Sequence, residues 1–189
     1  MLQYEQIIPE CYADTNFIST LLEANVNHSL SCTAVAGLMN VTFNDRFAVG
    51  IIDHDKQSPG YLSEFNEIAK RVLPPQKASE KDVCIHLYQH KTRTHYIVTI
   101  EPAIERLILR CAAMSNIKME DYHLSSTLEG LKERTKHKSS NKDYLLRTLF
   151  QAFLDAGNED ILALQETLRY FVFEQKNVDT EELKRIFLK

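Results

Sequence analysis

Residues 46–56, RFAVGIIDHDK, limit the fold most strongly: an apolar run of strand length stops abruptly at two aspartates one residue apart. Such a near-continuous run is what a strand buried on both faces of a parallel sheet requires, with helices covering each side. Arg46 to Ile52 is therefore expected as an inner strand that delivers Asp53 and Asp55 to its C-terminal end. There, α/β proteins hold Mg²⁺ against a phosphate.

The surrounding sequence supplies neighbours for that strand. QIIPECY is short and apolar enough for a first strand, and Asp14 is placed as the N-cap of a helix in DTNFISTLLEAN. CTAVAGLMNVTF keeps helical spacing at positions 35, 38, 39 and 43. SEFNEIAKRVL reads as a helix stopped by Pro74 and Pro75. Val83 to His90 and Thr94 to Ile100 are β-rich and separated by Lys91, Thr92 and Arg93, as an antiparallel pair or as ladder neighbours. Pro102 suits the first turn of a helix in PAIERLILRCAAM. Beyond Ile117 only helical patterns follow, with Gly157 placed as the C′ residue of one helix and Asn158 as the N-cap of the next. The fold expected is α/β, a mainly parallel sheet flanked by helices over residues 1–118, with an all-helical extension over residues 119–189.

Composition narrows the partners. A net charge of −4 argues against a surface that binds nucleic acid everywhere, while leaving room for a local basic groove. No apolar run approaches the roughly 18–20 residues that span a bilayer, and MLQYEQIIPE lacks a basic segment followed by an apolar one. A cytoplasmic protein without membrane association is the expectation. Cys11, Cys32, Cys84 and Cys111 form no CxxC pair and read as buried thiols rather than a structural zinc site. GxxxxGK[ST], GxGxxG and HExxH are all missing from the sequence, so nucleotide-hydrolysing, dinucleotide-binding and zincin chemistry lack their motifs.

The candidate site is carboxylate. Glu10 falls at the end of the proposed first strand and reaches Asp53 and Asp55 if the two strands are neighbours. Three anions at one sheet edge need a divalent cation or a basic side chain such as Lys56. Oxygen-only ligands suit Mg²⁺ or Mn²⁺. Glu101 and Glu105 could add second-site ligands, but a helix-dipole role for Glu101 and a solvated face for Glu105 account for both. His86 and His90, four apart on a strand, stand roughly 13 Å from each other, too far to share an ion with His95; His54 is expected to point away from the aspartates. The basic run KERTKHKSSNK, with Lys132, Arg134, Lys136 and Lys138, suits either phosphate-backbone contact or a solvated helix end.

At these residues the chain resembles a known family. IIPECYADTNFISTLL resembles the first motif of Toprim domains, a strand ending in glutamate followed by a helix, and FAVGIIDHDK resembles the second, the strand-terminal Asp-x-Asp. The resemblance implies a compact, mainly parallel sheet of the kind found in topoisomerases, primases and overcoming-lysogenisation-defect-type nucleases. It also implies Glu10 as acid/base, Asp53 and Asp55 as metal ligands, and Mg²⁺- or Mn²⁺-dependent phosphoryl transfer on nucleic acid, a nuclease-like activity. Cys11 stands where the family usually has glycine, and no further acidic residue follows promptly after Asp55. Those departures define the alternative of a catalytically degenerate interaction module that contacts a protein partner, or a second copy, through the helical extension. YADTNFI also resembles the opening of PIN-type ribonucleases, which implies Asp14 as a metal ligand and leaves Asp53 and Asp55 without a role.

Overall fold

The computed structural model describes residues 2–54, 60–75 and 81–189. A five-stranded sheet runs in the order β2 (Ile7–Pro9), β4 (Ala48–Asp53), β7 (His95–Glu101), β6 (Val83–His90), β5 (Phe65–Leu73). A two-stranded parallel ribbon, β1 (Gln3–Tyr4) with β3 (Asn25–Val26), stands apart from it. The helices are α1 (Tyr12–Leu22), α2 (Cys32–Gly37), α3 (Ile104–Met114), α4 (Leu128–Thr135), α5 (Tyr144–Asp155), α6 (Glu159–Glu174) and α7 (Thr180–Leu188). A π-helical turn, Leu38–Thr42, continues α2.

The strand read from residues 46–52 is present as β4, and it is inner. It pairs in parallel with β2, Ile7 opposite Val49 and Pro9 opposite Ile51, and with β7, Val49 opposite Tyr96 and Asp53 opposite Ile100. The other half of the sheet departs from expectation, because β6 runs antiparallel to both β7 and β5. The sheet is mixed rather than mainly parallel. The cause is connection length: residues 91–94 join β6 to β7, far short of the dozen or more that a parallel crossover needs.

SEFNEIAKRVL is likewise a strand, β5, and not a helix. Phe65, Ala69 and Leu73 are its buried positions, and a spacing of four fits one helix face and one strand face alike. The pairing partner decides: Asn66 to Leu73 lie along β6, with a bulge between Glu67 and Ala69. The bulge changes the face that later residues present, so Phe65 packs in one core while Ala69 and Leu73 pack in the other. Two helix starts also shift. Cys11, not Asp14, is the N-cap of α1, its sulfur accepting from the Asp14 amide while Asp14 Oδ2 accepts from the Cys11 amide. Pro102 precedes the N-cap of α3, which is Ala103.

Both faces of β4 are buried. Val49 and Ile51 enter a large core with α1, α3, α5, α6 and α7, whereas Ala48 and Ile52 enter a smaller one with Val35 and Met39. All elements after residue 119 are helical, Gly157 has a φ of +69°, and Asn158 caps α6, as read from the sequence. Their apolar faces share the large core: Phe150 lies edge-on to Phe17 of α1 at 4.9 Å, and Phe171 lies 4.8 Å from Tyr96 of β7. Phe150 and Phe171 are fully buried, so neither is available to a partner. Among the described residues no helix is long and apolar enough to cross a membrane.

The smaller core leaves no space over Gly50. An added Cβ there would stand 2.8 Å from Val35 Cγ1 and 3.0 Å from Met39 Sδ. Gly50→Ala should destabilise the protein by about 1–3 kcal/mol, the usual cost of overpacking, read as a lower urea midpoint with an unchanged slope. An unchanged midpoint would show that Val35 and Met39 yield freely.

Candidate functional site

Four carboxylates gather at the C-terminal end of the parallel half of the sheet. Glu10 follows β2 directly, and its two oxygens accept from the Cys32 amide at 3.0 Å and the Asp53 amide at 3.2 Å. The adjacency of β2 and β4 that the sequence reading required is thus present. Asp53 ends β4 and its Oδ1 accepts from the Ile104 amide at 3.1 Å, the first residue of α3. Asp14 lies in the first turn of α1 with 1% of its surface exposed, and its Oδ1 has no hydrogen-bond partner among the described residues.

Glu105 completes the group. A solvated face was expected for it, but it is buried in the first turn of α3, where the Thr135 hydroxyl donates to it at 2.6 Å. The reason lies beyond residue 118: α4 packs across α3 and closes the face that periodicity within α3 alone would leave open. Asp55 and Lys56 lie outside the described residues.

Crowding and burial act together on these acids. Burial first, then the charges of Glu10 and Glu105, push Asp14 up to about 7 against the lowering effect of its bonds to Cys11. Burial, then Asp14, Glu105 and Glu10, push Asp53 up to about 9. An unpaired carboxylate oxygen buried among other carboxylates suits a hard cation, which would restore both aspartates to the charged form. Glu10, Asp14, Asp53 and Glu105 are the acids of this rim, but among the described residues no three of them bring ligand atoms to within 4.8 Å of one another.

The basic run borders this edge. Thr135, which bonds Glu105, is the last residue of α4, and Lys136 and Lys138 follow it exposed. Arg134 is committed to Asp143 through two bonds of 2.6 and 2.9 Å, and Lys132 is half-buried. Asn16, two residues after Asp14, donates to the carbonyls of Ser140 and Asp143 and fastens the segment to α1.

Glu101 stands elsewhere. It ends β7 on the face opposite Asp53, where the His86 Nε2 lies 3.0 Å from its Oε2, and that bond foremost holds its carboxyl below the usual range. His54 also turns away from Asp53, stacking on His86 at 5.5 Å. Cys84, His86 and Glu101 bring one ligand atom each to within 4.8 Å of one another. The cysteine reading missed this group, and its signal was Cys84-x-His86, two residues that a strand puts on one face.

Fold and site together define an α/β protein with an acidic cluster at the ends of parallel strands. No protein-family model, curated protein or solved structure matches the chain.

The raised aspartates fix a pH dependence. In the unfolded chain aspartate titrates near 3.9, so the folded state binds protons that the unfolded one has released. Their contribution to stability is complete below about pH 4 and is lost as pH rises through about 7 for Asp14 and about 9 for Asp53. Asp53→Asn, which keeps the acceptor for Ile104, should therefore gain stability relative to the parent with rising pH in chelator-treated buffer. Urea midpoints of the two proteins across that range provide the check, and a difference that does not change with pH would contradict it.

Proposed function

We propose that the cluster of Glu10, Asp14, Asp53 and Glu105 binds Mg²⁺ or Mn²⁺ and serves Toprim-like phosphoryl transfer on nucleic acid. The observation that carries this reading is the Glu10 to Asp53 contact, a glutamate and an aspartate brought together by adjacent parallel strands. The cation would supply charge stabilisation at a phosphoryl oxygen. Asp53 orients one carboxylate oxygen by accepting from Ile104, and Asp14 offers its unpartnered oxygen from the helix behind. Glu10, oriented by two backbone amides, would take a proton from an attacking hydroxyl or water. Lys136 and Lys138 flank the cluster with positive charge for a phosphate backbone.

A second reading rests on the same two amide bonds. They make Glu10 a brace between β2, β4 and the start of α2, a role that a non-catalytic interaction module would keep. The PIN-type reading is weaker, because Asp14 lies inside α1 rather than at a strand end.

The test is cleavage of single-stranded and duplex DNA and RNA by the full chain with Mg²⁺ or Mn²⁺. Asp53→Asn should abolish activity without unfolding the protein, and Glu10→Gln should reduce it by roughly 10²–10⁴-fold. An absence of cleavage, together with Mn²⁺ binding that Asp53→Asn leaves unchanged, would overturn the enzymatic reading and leave the interaction module.

A further inference from the structure

The second face of the sheet is covered by α2 and its π-helical turn only near β2, β4 and β7, and the half toward β5 carries a different chemistry. Cys84 and His86 alternate on β6, and Cys84 pairs with Glu101 of β7. His86 has a carboxylate at each ring nitrogen: Glu67 Oε2 lies 2.8 Å from Nδ1 and Glu101 Oε2 lies 3.0 Å from Nε2. A neutral imidazole has one N–H, so one nitrogen then turns its lone pair to a carboxylate. Either a second proton or a cation at Nε2 removes that conflict. The sulfur of Cys84 stands within 4.8 Å of a His86 ring nitrogen and of a Glu101 oxygen, and a histidine whose far nitrogen is bound to a carboxylate is the usual arrangement of a metal-ligating imidazole.

We propose that Cys84, His86 and Glu101 form a binding site for a borderline-soft dication, zinc above all, with Glu67 orienting His86 through Nδ1. The donor set of one sulfur, one nitrogen and one oxygen selects zinc or cobalt over Mg²⁺ and Ca²⁺, which take oxygen ligands. The site is thereby distinct in chemistry from the carboxylate cluster as well as in position. Metal–ligand lengths of roughly 2.0–2.3 Å in a tetrahedral site put donors about 3.3–3.8 Å apart. The observed spread, within 4.8 Å, closes to this through the half-exposed Glu101 side chain.

Three protein donors leave a fourth position open. A cavity of about 310 Å³ lined by His54, Tyr88 and Thr99 adjoins His86 and has room for a water there. Lys70, opposite His86 on β5, interacts with both Cys84 and Glu101 and is the exposed cation that the metal displaces. Uptake exchanges the S–H bond of Cys84 for a metal–sulfur bond and releases that proton to solvent, so affinity rises with pH.

Titration of the full chain with Co²⁺ reads the site directly, because a cobalt–thiolate bond gives an intense charge-transfer band in the near ultraviolet. The expected result is one equivalent that carries that band and is displaced by Zn²⁺, distinct from any cobalt held without the band at the carboxylate cluster. Cys84→Ser removes the band, Glu101→Gln weakens binding, Glu67→Gln lowers affinity roughly 10–100-fold, and Asp53→Asn leaves the band intact. The exposed Glu67 and the half-exposed Glu101 keep the test available should Cys84→Ser fail to fold. The proposal is overturned if no charge-transfer band forms, if the band survives Cys84→Ser, if neither glutamate variant changes affinity, or if Asp53→Asn removes the band.

Discussion

Parallel pairing of β4 along both edges, with its faces buried on both sides, is the constraint on which the remainder of the fold rests. Once Ala48 to Ile52 are enclosed, every backbone amide and carbonyl of that stretch must be met by β2 or β7, and every side chain by one of two helical layers. Gly50 lets one of those layers approach closely, through Val35 and Met39. The same enclosure leaves the strand's last residue, Asp53, at a partly covered rim.

That rim draws in the beginnings of three helices. Cys32 opens α2 against Glu10, Asp14 lies in the first turn of α1, and Ile104 opens α3 against Asp53. Helix N-termini favour negative charge by amounts usually within about 1 kcal/mol each. Burial outweighs that attraction for Asp14 and Asp53, whose protons are held well above the ordinary carboxylate range. Capping thus accounts for where the acids are, and the protons that Asp14 and Asp53 retain relieve their mutual repulsion.

The inner strand and the late helices were legible because each has one dominant period and a marked start or stop, as at Asn158 and Gly157, whereas α1 was legible as a helix but not in its cap, Cys11. The approach of Glu10 to Asp53 was legible as well, since both end apolar runs and sequential strands tend to be neighbours. β5 was not, because Phe65, Ala69 and Leu73 satisfy two periods at once and only pairing with β6 decides between them. Glu105 was misread for a related reason: its burial depends on Thr135, thirty residues later, and local periodicity carries no information about that contact. Cys84 and Glu101 meet through strand register, which a single sequence specifies only after the hairpin of β6 and β7 is known.

The bulge in β5 bears on how the molecule behaves in a crowd. A flat outer strand is a template on which another chain can extend the sheet. Here the strand is bent between Glu67 and Ala69, and its far end is tied down by Arg71, which grips Asp160 at the start of α6 and the Phe187 carbonyl in α7. The antiparallel border is therefore bent at its bulge and braced by the chain's own final helix, two features that work against the flat, regular edge on which a sheet extends.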